Sequence, residues 1–145
     1  MIAQVRNSCL KFPDRNAFFI NEKFYTYTYF AQQISNIRQA ITQKSSSEKL
    51  IGLVIFDDIE TYSGIFGILF SGAGYVPLHS DFPPERNAVM AEQAGLKLVI
   101  SSKTVEETQK IIGTKQIQII STANLPFAEI NLDLPNINPT DPAYV

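Results

Sequence analysis

The sequence predicts an α/β fold: a layer of parallel strands with flanking helices and a small hairpin near the N-terminus. Apolar runs rich in β-branched residues alternate with helical segments between residues 50 and 120, and the connections between them are short. Such an alternation favours a parallel sheet with right-handed crossovers. The order of the strands does not follow from the sequence.

The stretch of residues 63–86 is the centre of this prediction. It begins as a helix with no polar face, in which Ser63, Gly67 and Ser71 recur every four positions. A helix of this kind is covered on all sides, and we expect Gly67 to lie at a close helix–sheet contact. Gly72-Ala73-Gly74 then ends the helix, because glycine adopts the left-handed conformation without penalty.

The other elements follow from apolar periodicity and from Gly, Pro and cap signals. In chain order the sequence predicts a helix at 2–10, a hairpin of 18–20 with 24–27, a helix after Thr28, a polar loop at Ser45-Ser46-Ser47, a strand at 50–56, a helix at 59–70, a strand at 75–78, a helix from about Pro83 to Gly95, a strand at 96–100, a helix at 104–112 closed by Gly113, and a strand at 117–120.

The helix after Thr28 is amphipathic, and Thr28 is its predicted N-cap. One stripe carries Phe30, Ile34, Ile37 and Ile41. The side chains predicted to face away are Gln32, Gln33, Asn36 and Gln39.

We divide the chain into an α/β unit, residues 1–122, and an extended tail, residues 123–145. The tail is rich in asparagine and proline, with prolines at positions 126, 135, 139 and 142. Such a composition is typical of a linker. Because Asp141-Pro142-Ala143-Tyr144-Val145 stops as a new apolar strand begins, we expect that the chain was cut from a longer protein.

The composition limits the classes of partner and site that we expect for this chain. The net charge of −2 gives no electrostatic reason to expect nucleic acid or an anionic membrane as a partner. Cys9 and His79 are the only cysteine and histidine, so neither a disulfide framework nor a Cys/His metal cluster is predicted. The N-terminus lacks the apolar core of a signal peptide, and the apolar helix is shorter than the ~20 residues that span a bilayer. We therefore expect a cytoplasmic protein.

Two motifs suggest chemistry on first inspection. Gly72-x-Gly74 is half of a dinucleotide fingerprint, but it follows a helix and precedes a strand, so turn chemistry is the better interpretation. Asp57-Asp58 resembles the acidic Mg²⁺-binding pair of response-regulator receivers. The alternative, which we favour, is that one aspartate caps the helix that begins near Ile59.

Three further candidates have structural interpretations. His79 has no second histidine or nearby cysteine as a partner, and we predict a loop histidine after a strand. Cys9 is predicted to be a small buried hydrophobe. Tyr25, Tyr27 and Tyr29 suit a hairpin leg and its exit better than a base-stacking platform, because no basic residues lie between them. The sequence thus predicts no catalytic, cofactor-binding or metal-binding residue in this chain.

The segment LFSGAGYVPLHSDFPPER, residues 69–86, is similar to the second core motif of adenylate-forming (AMP-binding) enzymes. The resemblance is closest to the amino-acid adenylation domains of nonribosomal peptide synthetases and to D-alanine–carrier-protein ligases. It covers the chain from Phe12 onward, in order, and His79-Ser80, Phe70 and Tyr29 depart from the usual pattern. The matching residues are Leu69, Gly72, Tyr75, Val76, Pro77, Leu78, Pro83 and Arg86.

The resemblance implies the N-terminal subdomain of a ligase that joins a carboxylate to AMP and then transfers the acyl group to a thiol. It implies ATP and Mg²⁺ for the full-length parent and a carrier protein or CoA as the acyl acceptor. The residues that bind phosphate would lie beyond Val145, so we expect the isolated chain to be inert. We also expect it to form a homodimer. The alternative is a free-standing, non-catalytic binding or interaction module.

Overall fold

The computed structural model describes residues 1–44, 47–138 and 140–145. Ser45 and Ser46 of the predicted polar loop and Pro139 of the tail lie outside the described residues. The elements are α1 (Ile2–Lys11), β1 (Asn16–Ile20), β2 (Lys23–Thr26), α2 (Tyr27–Lys44), β3 (Leu50–Ile55), α3 (Ile59–Phe70), β4 (Gly74–His79), α4 (Pro84–Gln93), β5 (Leu98–Ser101), α5 (Val105–Ile112), β6 (Gln118–Ser121) and a 3-10 helix (Thr122–Asn124).

The main sheet has four parallel strands in the order β4-β3-β5-β6. The central strand β3 pairs with β4 from Leu50 opposite Gly74 to Ile55 opposite His79. Residues 51–54 of β3 are buried, as expected for an apolar run that is covered on both faces of a parallel sheet. The predicted α/β layer is therefore confirmed.

Helices cover both faces of this sheet. On one face, Ile37 of α2 and Ile68 of α3 pack with the apolar residues of the strands. On the other face, Ala91 of α4 and Ile112 of α5 pack with Val99 of β5. The two apolar layers account for most of the core.

A third group of buried residues, here called the N-terminal cluster, lies where α1, α2 and α3 meet. The tail contributes one member, Leu132, and Phe18 and Ile20 of the hairpin pack against the cluster. The members of the N-terminal cluster are Cys9, Phe30, Ala31, Ile34, Ile59, Phe70 and Leu132.

The position of Gly67 corrects one expectation. A Cβ at Gly67 would lie 2.6 Å from Cγ2 of Ile37, so this glycine permits close approach of α3 to α2 and not to the sheet. The close helix–sheet contact falls at Gly64, whose Cβ would lie 2.6 Å from Cδ1 of Leu53. Positions three apart lie roughly 60° from each other around a helix, and here one faces α2 while the other faces the sheet.

Helix α2 begins one residue before the predicted cap, so the assignment of Thr28 was wrong. The hydroxyl of Thr26 accepts a hydrogen bond from the Tyr29 amide at 3.2 Å, whereas the Thr28 hydroxyl donates to the carbonyl of Pro13 at 2.9 Å. The apolar stripe is confirmed, since Phe30, Ile34, Ile37 and Ile41 are all buried.

The hairpin is tighter than predicted. Lys23 already belongs to β2, which leaves Asn21 and Glu22 as the turn, with φ angles of 51° and 62°. Two central residues with positive φ are typical of the turn that matches the right-handed twist of paired strands.

Strand β5 begins at Leu98, two residues later than predicted. The amide of Leu96 donates to the carbonyl of Ala91 at 2.9 Å, and the amide of Gly95 donates to the carbonyl of Glu92 at 3.0 Å. Leu96 therefore completes the end of α4 and is not free to pair in the sheet.

The tail is extended, but it packs on the α/β unit. Ala128 and Leu132 are buried. Tyr144 forms a parallel bridge with Tyr75, so the chain end lies along the edge of β4. The division between residues 122 and 123 stays a prediction.

Candidate functional site

The carboxyl edge of the sheet is where an open parallel sheet ordinarily holds a ligand. β3 and β5 are neighbours, and the chain leaves them toward opposite sides of the sheet, to β4 and to β6. The crevice between such a pair is the topological switch point of the fold. Here it is bounded by Asp57 and Asp58 after β3 and by Ser102 after β5.

The side chain of Asp58 bridges the two sides of this crevice. Its Oδ1 accepts a hydrogen bond from the Thr61 amide at 2.8 Å, and its Oδ2 accepts one from the Ser102 hydroxyl at 2.6 Å. The first bond is an N-cap of α3, which confirms the favoured interpretation of the aspartate pair. The second joins the start of α3 to the end of β5.

Neighbouring polar groups at this edge also bond to each other. The Phe56 amide donates to Oγ1 of Thr61 at 3.0 Å, and the Lys103 amide donates to Oγ of Ser101 at 3.1 Å. The ammonium of Lys103 lies 4.9 Å from the centre of the Phe56 ring. The hydrogen-bonding capacity at the switch point is thus used to hold helix and strand ends together.

Mg²⁺ takes near-octahedral oxygen ligands, including carboxylates with free lone pairs. Both carboxylate oxygens of Asp58 already accept hydrogen bonds, and Asp57 is exposed. Within residues 1–44, 47–138 and 140–145, no group of three or more His, Cys, Asp or Glu side chains is placed to hold a metal ion. The two hydrogen bonds of Asp58 therefore account for its position without a metal ion.

Gly72 and Gly74 lie at the connection between α3 and β4. Gly72 has φ of +88° directly after the helix, a conformation that a residue with a Cβ adopts only with strain. Gly74 begins β4, and a Cβ there would collide with the Pro142 carbonyl. The interpretation as turn chemistry is confirmed for Gly72, whereas Gly74 is a strand residue that permits close approach of the tail.

His79 is the last residue of β4 and not a loop residue, which corrects its predicted place. Its ring is exposed and stacks on Phe82 at 4.7 Å between ring centroids. The guanidinium of Arg86 covers Phe82 at 4.0 Å. The three side chains form a surface stack in which no nucleophile or acid–base partner for the histidine is present among the described contacts.

Cys9 is buried on α1, as predicted, and burial raises the pKa of its thiol. Tyr25 lies in β2, while Tyr27 and Tyr29 belong to α2, so the tyrosines occupy the hairpin leg and its exit. Burial first, and then the charge of Glu60, raises the pKa of Tyr29.

Asn87 is a structural side chain that the sequence analysis missed. It is fully buried, and its Nδ2 donates to the carbonyls of His79 at 2.8 Å and Ile111 at 3.0 Å. The side chain therefore holds α4 against the ends of β4 and α5. The signal in the sequence is the spacing: Asn87 lies four positions before the apolar Ala91, and so on the same face of α4.

With this geometry established, comparison with known proteins decides the family. The family model described as AMP-binding enzyme matches residues 5–145. The chain belongs to the AMP-binding enzyme family. The predicted resemblance to adenylate-forming enzymes, and to nonribosomal peptide synthetases among them, is confirmed.

Individual relatives agree with this assignment. Tyrocidine synthase 1 from Brevibacillus parabrevis is 26% identical over 137 residues, which cover 92% of this chain and 12% of the relative. Indigoidine synthase from Dickeya dadantii (strain 3937) is 22% identical over 121 residues, which cover 83% of this chain and 8% of the relative. The chain thus spans only about a tenth of the length of these curated relatives.

Solved structures are similar along the whole chain. The nonribosomal peptide synthetase FmoA3 bound to alpha-methyl-L-serine-AMP has a TM-score of 0.79 and 25% identity, over 99% of this chain and 16% of that protein. The N-terminal subdomain of Klebsiella oxytoca NpsA, in complex with 3-hydroxybenzoyl-AMSN, has a TM-score of 0.81 and 20% identity, over 99% and 36%. The fold is therefore that of the N-terminal subdomain of adenylation domains.

Proposed function

We propose that this chain is part of an ATP-dependent ligase that activates an amino acid or a related carboxylic acid. The reaction joins the carboxylate to AMP, releases pyrophosphate and then transfers the acyl group to a thiol. The match of the family model to residues 5–145 carries the proposal. The likeness to FmoA3, a protein whose structure holds an aminoacyl-AMP, supports the amino-acid-activating branch.

In this proposal the chain supplies a platform and not the reacting groups. Acyl-adenylate formation depends on positioning and on stabilising the charge of the phosphates. The polar groups at the switch point hold α3 and β5 together, and each carboxylate oxygen of Asp58 already accepts a hydrogen bond from the protein. ATP and Mg²⁺ are therefore assigned to residues beyond Val145, as the resemblance implies.

The experiment is ATP–pyrophosphate exchange with a panel of amino and fatty acids. The isolated chain is expected to give no substrate-dependent exchange, and a chain extended beyond Val145 through the rest of the family's domain is expected to give it. Exchange by the isolated chain would show that the platform assignment is wrong. An extended, folded chain that exchanges with no acid would show that the ligase assignment is wrong.

The acyl acceptor is proposed to be a carrier protein or CoA. Carrier proteins are favoured, because the similar proteins include nonribosomal peptide synthetases. Acyl transfer to a purified carrier protein, compared with transfer to CoA under the same conditions, distinguishes the two thiols. The cytoplasmic location stays a prediction; in the described residues no helix combines the length and the apolarity needed to cross a membrane.

The homodimer of the isolated chain also stays a prediction. Exposed aromatic side chains support it, since Phe127 is 76% and Tyr144 69% exposed. The alternative, a chain whose tail masks its own surface, is supported by the burial of Ala128 and Leu132 and by the pairing of Tyr144 with Tyr75. Sedimentation equilibrium separates the two, because a strictly monomeric mass at high micromolar concentration contradicts the dimer.

A free-standing, non-catalytic module would also have a tail that covers its own apolar surface. Its support is the same packed tail, which pairs with the edge of β4 without another chain. Failure of every extended chain in the exchange assay, together with a monomeric isolated chain, would favour the module over the ligase.

A further inference from the structure

The tail lies on α2 as an extended segment, here called the strap and defined as residues 125–137. Side chains of α2 bind its backbone directly. Nε2 of Gln32 donates to the Ala128 carbonyl at 2.6 Å, and the Ala128 amide donates to Oδ1 of Asn36 at 2.9 Å. Three residues further along the strap, the Asn131 amide donates to Oγ of Ser35 at 2.9 Å.

Arg38 makes the densest of these contacts. Its Nη1 donates to the Asn131 carbonyl at 3.1 Å, to Oδ1 of Asn131 at 2.9 Å and to the Asp133 carbonyl at 3.0 Å. Hydrogen bonds that involve a charged group are the stronger ones. A single guanidinium thus gathers the middle of the strap onto α2.

Apolar side chains complete the attachment, and among them Leu125 packs against the core cluster that contains Ile37. Ala128 and Leu132 are buried, and Leu132 is a member of the N-terminal cluster that also contains Cys9. Among the described residues, no backbone–backbone hydrogen bond joins the strap to the rest of the protein. Both of its flanks are held, by the 3-10 helix Thr122–Asn124 on one side and by the bridge of Tyr144 to Tyr75 on the other.

We propose that the strap is a conformational device that detaches from α2 as one unit while the sheet stays folded, and that its detachment uncovers the N-terminal cluster and Cys9. Segments with few buried apolar contacts and side-chain-mediated attachment open at a lower free energy than the core. The attachment is cooperative, because Gln32, Ser35, Asn36 and Arg38 all bind the backbone of the same short segment.

Amide hydrogen exchange of the full chain, followed by NMR, tests the unit. Arg38→Ala removes bonds to carbonyl groups but leaves the acceptors of the Ala128 and Asn131 amides in place. If the strap detaches as one unit, both amides exchange at least about tenfold faster in this variant, while Leu53 of β3 is unchanged. Unchanged exchange at Ala128 and Asn131, or equal acceleration at Leu53, would overturn the proposal.

A matched pair of variants guards against a failure to fold. Gln32→Ala removes one strap contact, and Gln43→Ala makes the same change on the exposed surface of the same helix. Gln32→Ala is expected to accelerate exchange at Asn131 several-fold, although it does not touch that residue. Gln43→Ala is expected to leave it unchanged, and equal effects of the two variants would contradict strap detachment.

The thiol of Cys9 gives an independent readout, because it is the only thiol in the chain. Its rate of alkylation by iodoacetamide is expected to rise in Arg38→Ala by about the same factor as the exchange of the strap amides. If α1 alone controls access, the rate stays at the level of the parent chain, and the claim that the strap covers the cluster is then wrong.

Discussion

Helix α2 is held on two sides by different kinds of contact. Toward α3 the contact is apolar and close, with Gly67 facing Ile37 and Ile68 fully buried. Toward the strap the contact is mostly polar, with α2 side chains bound to the carbonyls and amides of an extended segment. The apolar side depends on shape, so any change in volume is felt there. The strap side depends on a set of hydrogen bonds that can be lost together.

The largest difference is expected when an apolar anchor is shortened on each side. Ile68→Ala should lower the free energy of unfolding by about 2–5 kcal/mol, because α3 and the sheet cannot close the cavity. Leu132→Ala should cost less than about 2 kcal/mol, because the strap can detach without unfolding the sheet. Urea unfolding measures both, and an equal loss would show that the strap is as firmly part of the core as α3.

The next largest loss of stability is expected from a larger side chain at the close contact between α3 and α2. Gly67→Leu should cost about 1–3 kcal/mol or prevent folding, since a Cβ alone already lies 2.6 Å from Ile37. Val89→Leu on the exposed side of α4 is the control, expected to stay within about 0.5 kcal/mol. An unchanged urea midpoint in Gly67→Leu would contradict the burial of this glycine.

A smaller loss of stability is expected at the N-terminal end of α3, where the contact is polar. Asp58→Ala leaves the Thr61 amide and the Ser102 hydroxyl without their acceptor and should cost about 0.5–2 kcal/mol. Asp57→Ala, the same change at the exposed neighbour, should be nearly silent. If the two variants unfold at the same urea concentration, the N-cap contributes nothing to the joint between α3 and β5.

The smallest effect concerns an exposed polar contact on α5. The amide and hydroxyl of Thr104 donate to Oε2 of Glu107 at 3.0 and 2.9 Å. These bonds, assisted by Lys103 and Lys110, lower the pKa of Glu107. Because the folded pKa lies below the unfolded one, the stabilisation is present above the unfolded pKa. It is lost as the pH falls through the folded value.

An NMR titration of the Glu107 carboxyl group measures this effect. Thr104→Val keeps the backbone bond but removes the hydroxyl, so the titration midpoint should move up, toward the ordinary value for glutamate. An unchanged midpoint would show that the hydroxyl does not hold the carboxylate in solution.

Local chemistry was enough to predict much of this molecule. The bounds of α3, its capping by one of the two aspartates that precede it and the closure of α5 by Gly113 follow from periodicity and from side chains within a few positions of the helix ends. The apolar run of β3 predicted a strand covered on both faces, because each of its side chains must leave water. The similarity of residues 69–86 to a core motif indicated the family for the same reason: the signature is continuous in the chain.

The tertiary structure alone decided contacts between residues far apart in the sequence. It placed β3 and β5 side by side, and so made a hydrogen bond between Asp58 and Ser102 that neither segment predicts by itself. It set Gly67 against α2 instead of the sheet, because the direction of a helical side chain depends on how the helix is rotated in its packing. The polar face of α2 looked solvent-exposed from its periodicity, yet Gln32 and Asn36 lie under the strap, which begins about ninety positions later. A pattern within one helix cannot reveal a partner that only folding brings to its surface.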